Sequence, residues 1–269
     1  MKFAFSRVVG CCCVVAIAGG LTTRQALAQA VPQSPTATTT TDEAPARKPD
    51  LSIGKLLKDT VGDFRRLPSK ESLTILMIGG TFAATSRPHD QNLTLRIAGT
   101  SVHHGVYEPG RVMGGAQFQF GAAIATYGFG RISGKTRAAE VGAHLLRAQI
   151  VSQVVTHAVK YSVQRMRPDG STRNSFPSGH TSVSFASATV LQQEFGWKVG
   201  IPAYAVASYI GLSRVGNKRH YVSDVAFGAA IGLVAGRTVG ISIGDKRFVM
   251  SPVGTRGGGG VSFVWTGQR

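Results

Sequence analysis

The sequence predicts an all-α helical bundle that ends in a short β-hairpin-like tail. Long segments place apolar residues at helical spacing and stop at proline or glycine, both of which end helices. Glycine is frequent, at 34 of 269 residues, whereas charged residues make up only 16% of the chain. This composition suits the close packing of helices through small residues better than it suits a disordered chain. Glycine-rich, β-prone sequence is confined to the C-terminal end.

The first 30 residues have the three parts of a secretory signal peptide. Lys2 and Arg7 give a positive start, Val8 to Leu21 is apolar, and residues 28–30 (Ala-Gln-Ala) offer a small-residue cleavage site. An uncleaved anchor is the alternative, although the apolar stretch is short for a membrane span. All three cysteines lie in this segment, so cleavage would remove thiol chemistry, disulfides and cysteine-ligated metals. We expect an exported protein of the periplasm or cell envelope, with membrane association left open.

The rest of the chain divides into three parts. Residues 31–50 are rich in Pro, Thr, Ala and Ser without an apolar period, which is typical of a disordered linker. Residues 51–245 form the predicted helical domain, with the motifs concentrated in 137–241. Residues 246–269 form a Gly-rich tail, in which β-prone stretches flank Gly257 to Gly260 and predict a hairpin.

Seven helices are predicted in the helical domain. The second is too short to cross a bilayer and is expected to be a core helix. The last two are the best membrane candidates, but polar residues interrupt the first and Arg237 the second, so we expect a soluble or peripheral domain, with embedding as the alternative. The predicted segments are Ile53 to Leu67, Leu73 to Ala84, Gly114 to Ile132, Arg137 to Met166, Ser178 to Phe195, Ile201 to Val215 (with Pro202 in its first turn) and Ser223 to Ile241.

Three short segments concentrate the ionisable groups, and the first is basic. Lys160 and Arg167 are seven residues apart, so on a helix both project from one face near its end. Two cations there could hold a dianion, or the face could simply be solvated.

The second segment, residues 175–180 (Ser-Phe-Pro-Ser-Gly-His), is a tight turn directly before an apolar helix. Backbone N–H groups at the helix start, together with the Ser178 hydroxyl, form an anion pocket, and Gly179 permits close approach of a ligand. His180 would then lie beside a bound anion as a proton donor. The alternative is an ordinary helix cap with His180 at the surface.

The third segment contains Arg214, His220 and Asp224. Arg214 offers a planar fork that matches two phosphate oxygens. A carboxylate that accepts from one nitrogen of His220 leaves the other nitrogen free to attack. The alternative is a surface His–Asp pair, and because Ser223 looks like a helix cap, His220 could lie in the preceding loop.

Together the three segments read Lys-x6-Arg-Pro, Pro-Ser-Gly-His and Ser-Arg-x5-His-x3-Asp. Their order and spacing resemble the signature of the type 2 phosphatidic-acid phosphatase and haloperoxidase superfamily, over about Arg137 to Ile241. The resemblance implies an α-helical bundle that works without a metal or other cofactor. It also implies that the phosphate oxygens are held by Lys160, Arg167 and Arg214, aided by Ser178 and the Gly179 backbone.

The resemblance further implies a covalent mechanism of phosphate-ester hydrolysis. His220 would attack phosphorus and become a phosphohistidine, and Asp224 would orient it and stabilise its charge. His180 would protonate the leaving alkoxide and later activate water. The expected substrates are soluble phosphomonoesters or phospholipids, and the sequence is consistent with either class.

Two other functions remain open. A vanadium-dependent haloperoxidase shares these residues, since vanadate could occupy the phosphate site, although such enzymes tend to be longer. A non-catalytic envelope protein that binds anionic lipid is less consistent with two histidines and an aspartate. The net charge of +17 predicts peripheral contact with an anionic membrane, whereas no nucleic-acid-binding pattern is present, and the oligomeric state stays undetermined. His103 and His104 lack acidic or Cys partners at ligand spacing, so no metal site is predicted.

Overall fold

The computed structural model describes residues 51–98, 103–239, 247–255 and 258–266, so the predicted signal peptide and linker lie outside it. In the described residues the chain forms nine α-helices, one 3₁₀ turn (Arg87–His89) and a two-stranded antiparallel sheet. The elements are α1 (Ile53–Arg66), α2 (Lys70–Ser86), α3 (Asp90–Ala98), α4 (His103–Met113), α5 (Ala116–Ile132), α6 (Thr136–Val163), α7 (Gly179–Phe195), α8 (Trp197–Gly216), α9 (Val222–Thr238), β1 (Arg247–Thr255) and β2 (Gly258–Thr266).

The hydrophobic core lies where α5, α6, α7 and α9 meet. Because α6, α7, α8 and α9 pack side by side, the C-terminal ends of α6 and α8 come to the same end of the bundle as the N-terminal starts of α7 and α9. The three predicted motifs occupy these four helix ends. The buried side chains of the core are Ala123, Val141, Leu145, Ala148, Val151, Ala186, Val190, Ala235 and Val239.

Glycines on α9 bring that helix against the backbone of α7. A Cβ atom at Gly228 would lie 2.6 Å from the Ser178 carbonyl oxygen, and one at Gly232 would lie 2.3 Å from the Ser182 carbonyl oxygen. Gly236 continues the stripe one turn further on, where a Cβ would lie 2.4 Å from the Thr189 Cβ. Side chains at these positions would push the helices apart, so glycine sets the position of the turn that begins α7.

Helix α1 is held to the bundle by a buried ion pair. Arg147 of α6 donates from Nε and Nη2 to the two carboxylate oxygens of Asp63, at 2.8 and 2.7 Å. Both side chains are buried. Breaking such a pair leaves an uncompensated charge in the interior, so α1 and α6 depend on each other.

Several helix boundaries differ from the sequence prediction. Helix α6 ends at Val163 rather than Met166, because Gln164 adopts a left-handed conformation with φ 47°. Arg167 therefore lies in the following loop, and the prediction that it shares a helix face with Lys160 is wrong. Helix α8 begins four residues earlier than predicted, which places Pro202 beyond the first turn. Helix α9 begins at Val222 and ends at Thr238, its N-cap is Tyr221, and Ser223 lies inside the helix.

Helix α2 is not the core helix that its apolar sequence predicts. It packs on α9 with one side only, and Leu73, Met77 and Ile78 on its other side are 60%, 61% and 67% exposed. Apolar composition alone does not show which faces of a helix find partners, and this is the reason for the error. The short helices α3 and α4 had not been predicted.

The C-terminal tail forms the predicted hairpin. Strands β1 and β2 are antiparallel, with Arg247 paired to Thr266 and Thr255 paired to Gly258. The glycines at 258–260 therefore belong to β2 rather than to the turn.

Among the described helices, none has the length and apolar character needed to cross a membrane.

Candidate active site

The predicted site residues come together at the end of the bundle where α6 and α8 end and α7 and α9 begin. The Ser178 backbone N–H donates to the Asp224 carbonyl oxygen at 3.0 Å, which ties the start of α7 to the start of α9. The backbone N–H groups of Arg219 and His220 both donate to the Arg214 carbonyl oxygen, which folds the loop after α8 back on its last turn. The alternative of separate surface features is therefore wrong for these segments.

His220 lies in the loop before α9 and is 3% exposed. Its Nδ1 is 2.6 Å from the Ser175 carbonyl oxygen. A carbonyl oxygen can only accept, so Nδ1 carries the proton and Nε2 keeps a free lone pair. Burial lowers the pKa of His220 most strongly, and the nearby negative charge of Asp224 raises it only in part. The ring is therefore held neutral with Nε2 available as a nucleophile.

Asp224 supports His220 indirectly. Its Oδ2 lies 3.7 Å from His220 Nδ1, beyond hydrogen-bond distance, and accepts instead from the Ser175 hydroxyl at 2.5 Å and the Tyr221 backbone N–H at 2.8 Å. Burial alone would raise the pKa of the Asp224 carboxyl, but interactions with His220, Ser175 and Tyr221 bring that pKa below its ordinary value. A direct carboxylate–imidazole bond was predicted, whereas the residue that contacts both groups is Ser175.

Arg167 and Arg214 provide positive charge that the protein leaves partly unpaired. Arg214 is 5% exposed, and its Nε and Nη1 are buried without hydrogen-bond partners, as is Nε of Arg167. Burial, followed by repulsion from Arg167 and other cations, lowers the pKa of Arg214 to about 10. Buried donors without partners are rare, and here they fit an anion with several oxygens.

Lys160 contributes to the site through the loop before α7. Its Nζ donates to the carbonyl oxygens of Asn174 and Pro177, at 2.6 and 2.8 Å. An ammonium has three donors, so one remains for a ligand. Burial lowers the pKa of Lys160 to about 8, with a further contribution from Arg167 and partial compensation by Asp224. Lys160 thus holds the loop in place as well as supplying charge.

His180 is the second residue of α7 and is half-buried among cations. Burial, and then the positive charges of Arg214 and Arg167 with a contribution from His220, lower its pKa to about 3, partly offset by a hydrogen bond to the Arg111 backbone. The imidazole is therefore neutral in the unliganded protein. A bound dianion would neutralise those cations and raise the pKa of His180 toward the range of a useful acid.

The turn that begins α7 presents main-chain donors to the same place. Ser178 is the N-cap and is fully buried, but its hydroxyl makes no capping bond and accepts from the Thr181 hydroxyl at 2.9 Å. The first N–H groups of α7, at Gly179 and His180, have no carbonyl within the helix to bond. Free N–H groups and the helix dipole make this position favourable for an anion.

Four residues that sequence reasoning missed also belong to the site, because hydrogen bonds link them to His220, to Asp224 or to one another. Ser175 and Arg165 stand within the quoted motif segments but had been given no role. Ser223 had been interpreted as a cap. Asp90 carries no local signal at all, because it lies far before the motifs and reaches them only through the fold.

In the part of the chain whose side chains are described, no group of three or more His, Cys, Asp or Glu could hold a metal ion. The side chains of His103 and His104 lie outside that part. The donor set at the site itself consists of cations and two histidines, which suits an anion rather than a metal cation.

Comparison with known proteins agrees with this geometry. Residues 142–247 match the model of the PAP2 superfamily. A lipid A 1-phosphatase of Porphyromonas gingivalis is 45% identical over 97 residues, which is 35% of this chain and 22% of that protein. A Schizosaccharomyces pombe protein named as a diacylglycerol pyrophosphate phosphatase is 42% identical over 72 residues, 22% of this chain and 26% of its own. The chain thus spans about a quarter of the length of these curated relatives.

A solved structure has the same fold. It is a transmembrane PAP2-type phosphatidylglycerolphosphate phosphatase from Bacillus subtilis, with a TM-score of 0.53 and 20% identity. The similarity covers 64% of this chain and 94% of that one. Motif order, site geometry and fold are consistent with the match to the PAP2 superfamily, which covers residues 142–247 of this chain.

Proposed function

We propose that this protein is a phosphoric ester hydrolase that acts on lipid phosphates through a phosphohistidine at His220, without a metal ion. The observation that carries the proposal is a neutral, buried His220 whose Nδ1 is bonded to the Ser175 carbonyl. Its free Nε2 shares the site with Arg167 and Arg214, which lack partners for buried donors. A nucleophile and unpaired cations together are what attack on a phosphate dianion requires.

The first chemical step transfers the phosphoryl group. Nε2 of His220 forms a bond to phosphorus while the bond from phosphorus to the alcohol oxygen breaks. Arg167, Arg214 and the one free donor of Lys160 neutralise the phosphate oxygens, and the N–H groups at the start of α7 add to this. Asp224 stabilises the positive charge that His220 acquires.

His180 carries the proton in both steps. The phosphate of the bound substrate raises the pKa of His180, so the imidazole becomes protonated. It then gives this proton to the leaving alkoxide. The neutral imidazole then takes a proton from water, whose oxygen attacks phosphorus as the bond to His220 breaks. Phosphate leaves, and His220 regains its original state.

Lipid phosphates are the proposed substrates because two observations point the same way. The relatives named above are a lipid A phosphatase and a diacylglycerol pyrophosphate phosphatase. The chain also exposes large apolar side chains, including Met77 and Ile78 of α2, beside a strongly basic composition. Apolar and basic surface together favour peripheral contact with an anionic membrane. With the N-terminal segment acting as a signal peptide, the protein would work in the periplasm or cell envelope.

The test is phosphate release by the purified protein, with chelator present, from phosphatidate in mixed micelles and from a chromogenic phosphomonoester. The His220→Ala variant runs beside it. We expect chelator-resistant turnover with a preference for the lipid, complete loss in His220→Ala, and a phosphoryl group trapped on His220 after rapid acid-free quenching.

Three results would contradict the proposal. Turnover that survives in His220→Ala would exclude His220 as the nucleophile, and turnover lost with chelator would exclude the metal-free mechanism. Bromide oxidation by the vanadate-loaded protein, without phosphatase activity, would establish the haloperoxidase alternative instead.

A further inference from the structure

A chain of hydrogen bonds runs from α3 to the nucleophile. Arg165, in the loop after α6, donates from Nη1 to Asp224 Oδ1 at 2.8 Å and from Nη2 to Asp90 Oδ2, also at 2.8 Å. Asp224 in turn accepts from the Ser175 hydroxyl, and the Ser175 carbonyl accepts from His220. Asp90 is 2% exposed and Asp224 is fully buried.

The guanidinium of Arg165 is held by several groups at once. Nη1 also donates to the Ser223 hydroxyl at 2.7 Å, and the guanidinium carbon lies 4.0 Å from the centre of the Tyr221 ring. Asp90 accepts in addition from the Ser223 backbone N–H at 3.0 Å and from the Ser223 hydroxyl. A planar group held by two carboxylates, a hydroxyl and an aromatic face has little freedom to move, so it can set the position of Asp224.

Resting on the proposed function, we propose that Arg165 and Asp90 form a positioning unit for the nucleophile. Arg165 holds Asp224 in the place from which its other oxygen orients Ser175, and Asp90 holds Arg165. Neither residue is assigned to the phosphate, because the hydrogen bonds of Arg165 go to Asp90, Ser223 and Asp224. The unit therefore acts on the reactivity of His220 and not on substrate binding.

Substitution of Arg165 should lower kcat with little effect on KM. Arg165→Gln removes the positive charge and the planar set of guanidinium donors. We expect kcat to fall about 100-fold, since misplacement of a reacting group by about 1 Å lowers the rate by about that factor. Arg165→Lys keeps the charge, but one ammonium cannot bridge both carboxylates, so we expect a loss of about 10-fold. Asp90→Asn should fall between wild type and Arg165→Gln. The double variant Arg165→Gln with Asp90→Asn should have a kcat no lower than that of Arg165→Gln alone, because the effects of substituting residues that act as a unit are not additive.

The pH profile gives a readout that a purely structural role would not change. Loss of the Arg165 charge beside Asp224 favours protonation of that carboxyl, so the acidic limb of kcat/KM should move to higher pH in Arg165→Gln but not in Arg165→Lys. The other charged or titratable groups that act on Asp224 stay in place in both variants. They are Lys160 from α6, Arg167 from the following loop and His220 from the loop after α8.

The chain provides a matched control in Arg147. It also binds a buried aspartate through two donors, but it lies about 20 Å from Lys160 along α6. Arg147→Gln and Arg147→Lys should lower the unfolding temperature and leave kcat per folded molecule and the acidic limb unchanged.

The result that overturns the inference is a folded Arg165→Gln with kcat within about twofold of wild type and an unmoved acidic limb. If that variant does not fold, kcat of Arg165→Lys and Asp90→Asn decides instead: values within about twofold of wild type in both, with folding checked by unfolding curves on each sample, would overturn the inference. His220→Ala separates the two proposals. If it is inactive while the Arg165 variants behave like wild type, only the positioning inference fails; if it is active, the proposed function fails.

Discussion

At the scale of single residues, the site combines a neutral histidine, the proposed nucleophile, with cations whose buried donors lack partners in the unliganded protein. His180 shows the consequence most clearly, because burial and nearby positive charge hold its pKa at about 3. The same ring has to donate a proton in the proposed mechanism. Bound substrate is therefore expected to supply the negative charge that pairs with the cations and, through that charge, to favour the protonated form of His180.

A titration of His180 should show this dependence. In the unliganded protein its NMR signals should indicate a neutral ring at pH 5 and protonation near pH 3, and saturation with inorganic phosphate should raise the pKa. A His180 imidazole that titrates near pH 6.5 in the unliganded protein would contradict the prediction.

The low pKa of His180 also links stability to pH. The unfolded chain binds this proton near pH 6.5 and the folded chain only near pH 3, so the folded state loses stability as pH falls through that window. At pH 5 the loss is about 2 kcal/mol from this group. Between pH 7 and pH 5 the free energy of unfolding should therefore fall less in His180→Asn than in wild type, as measured by denaturant unfolding.

Arg214 should cost stability in the absence of a ligand. Its buried donors lack partners, so Arg214→Met should raise the unliganded free energy of unfolding by about 1–3 kcal/mol. Added phosphate should stabilise wild type and not the variant. The exposed Arg237, paired with Glu71, offers a control whose replacement by Met should change stability by less than about 0.5 kcal/mol.

The gathering of the motif residues at one end of the bundle was predictable, because their types and spacing are distinctive in the sequence. The partner of His220 Nδ1 was not, since it is a main-chain carbonyl 45 residues away, and any amino acid at that position supplies one. Asp90 was missed for a related reason: a single acid in an uncharacterised stretch has no pattern until the fold brings it to Arg165.

At the scale of helices, the bundle depends on how closely α9 approaches α7. Gly228 lies against the Ser178 carbonyl at the turn that begins α7, whereas Gly236 lies against Thr189, eight residues or about 12 Å further along the helix. The two positions have the same packing requirement but different distances from the site.

Gly228→Ala and Gly236→Ala should separate packing from catalysis. Each added methyl group meets an atom closer than 3 Å, so each should lower stability by about 1–3 kcal/mol. Only Gly228→Ala should also lower kcat, because only there does the displaced atom belong to the turn that is proposed to hold phosphate. Equal kcat in both variants would show that the position of Ser178 is not set by α9.

Helices α5 to α9 could be predicted because proline, glycine and apolar spacing mark them clearly. Helices α3 and α4 are short and rich in polar residues, and their stability comes from packing that local sequence does not reveal. The exposure of α2 is a related case. Its apolar sequence correctly predicted a helix, but the burial of each face depends on which other helices pack against it.

At the scale of the whole molecule, positive charge and exposed apolar side chains together predict binding to anionic membranes. The protein should co-sediment with vesicles that contain phosphatidate or phosphatidylglycerol and not with purely zwitterionic vesicles. Higher salt should weaken binding, because it screens the charge contribution. Replacement of Met77 and Ile78 by Ser should weaken binding to anionic vesicles while leaving turnover of a soluble phosphomonoester unchanged. Wild-type binding in the double variant would exclude α2 as the contact.

The ion pairs made by α1 and α3 determine whether residues 142–247 can be transferred to another protein on their own. Residues 142–247 contain every motif, yet Arg147 and Arg165 inside that segment bind Asp63 and Asp90 outside it. A graft of this segment alone into another scaffold would carry two buried guanidinium groups without their carboxylates. Any chimaera or minimal domain has to bring those two aspartates along, or replace both arginines with apolar residues and give up the geometry that Arg165 provides.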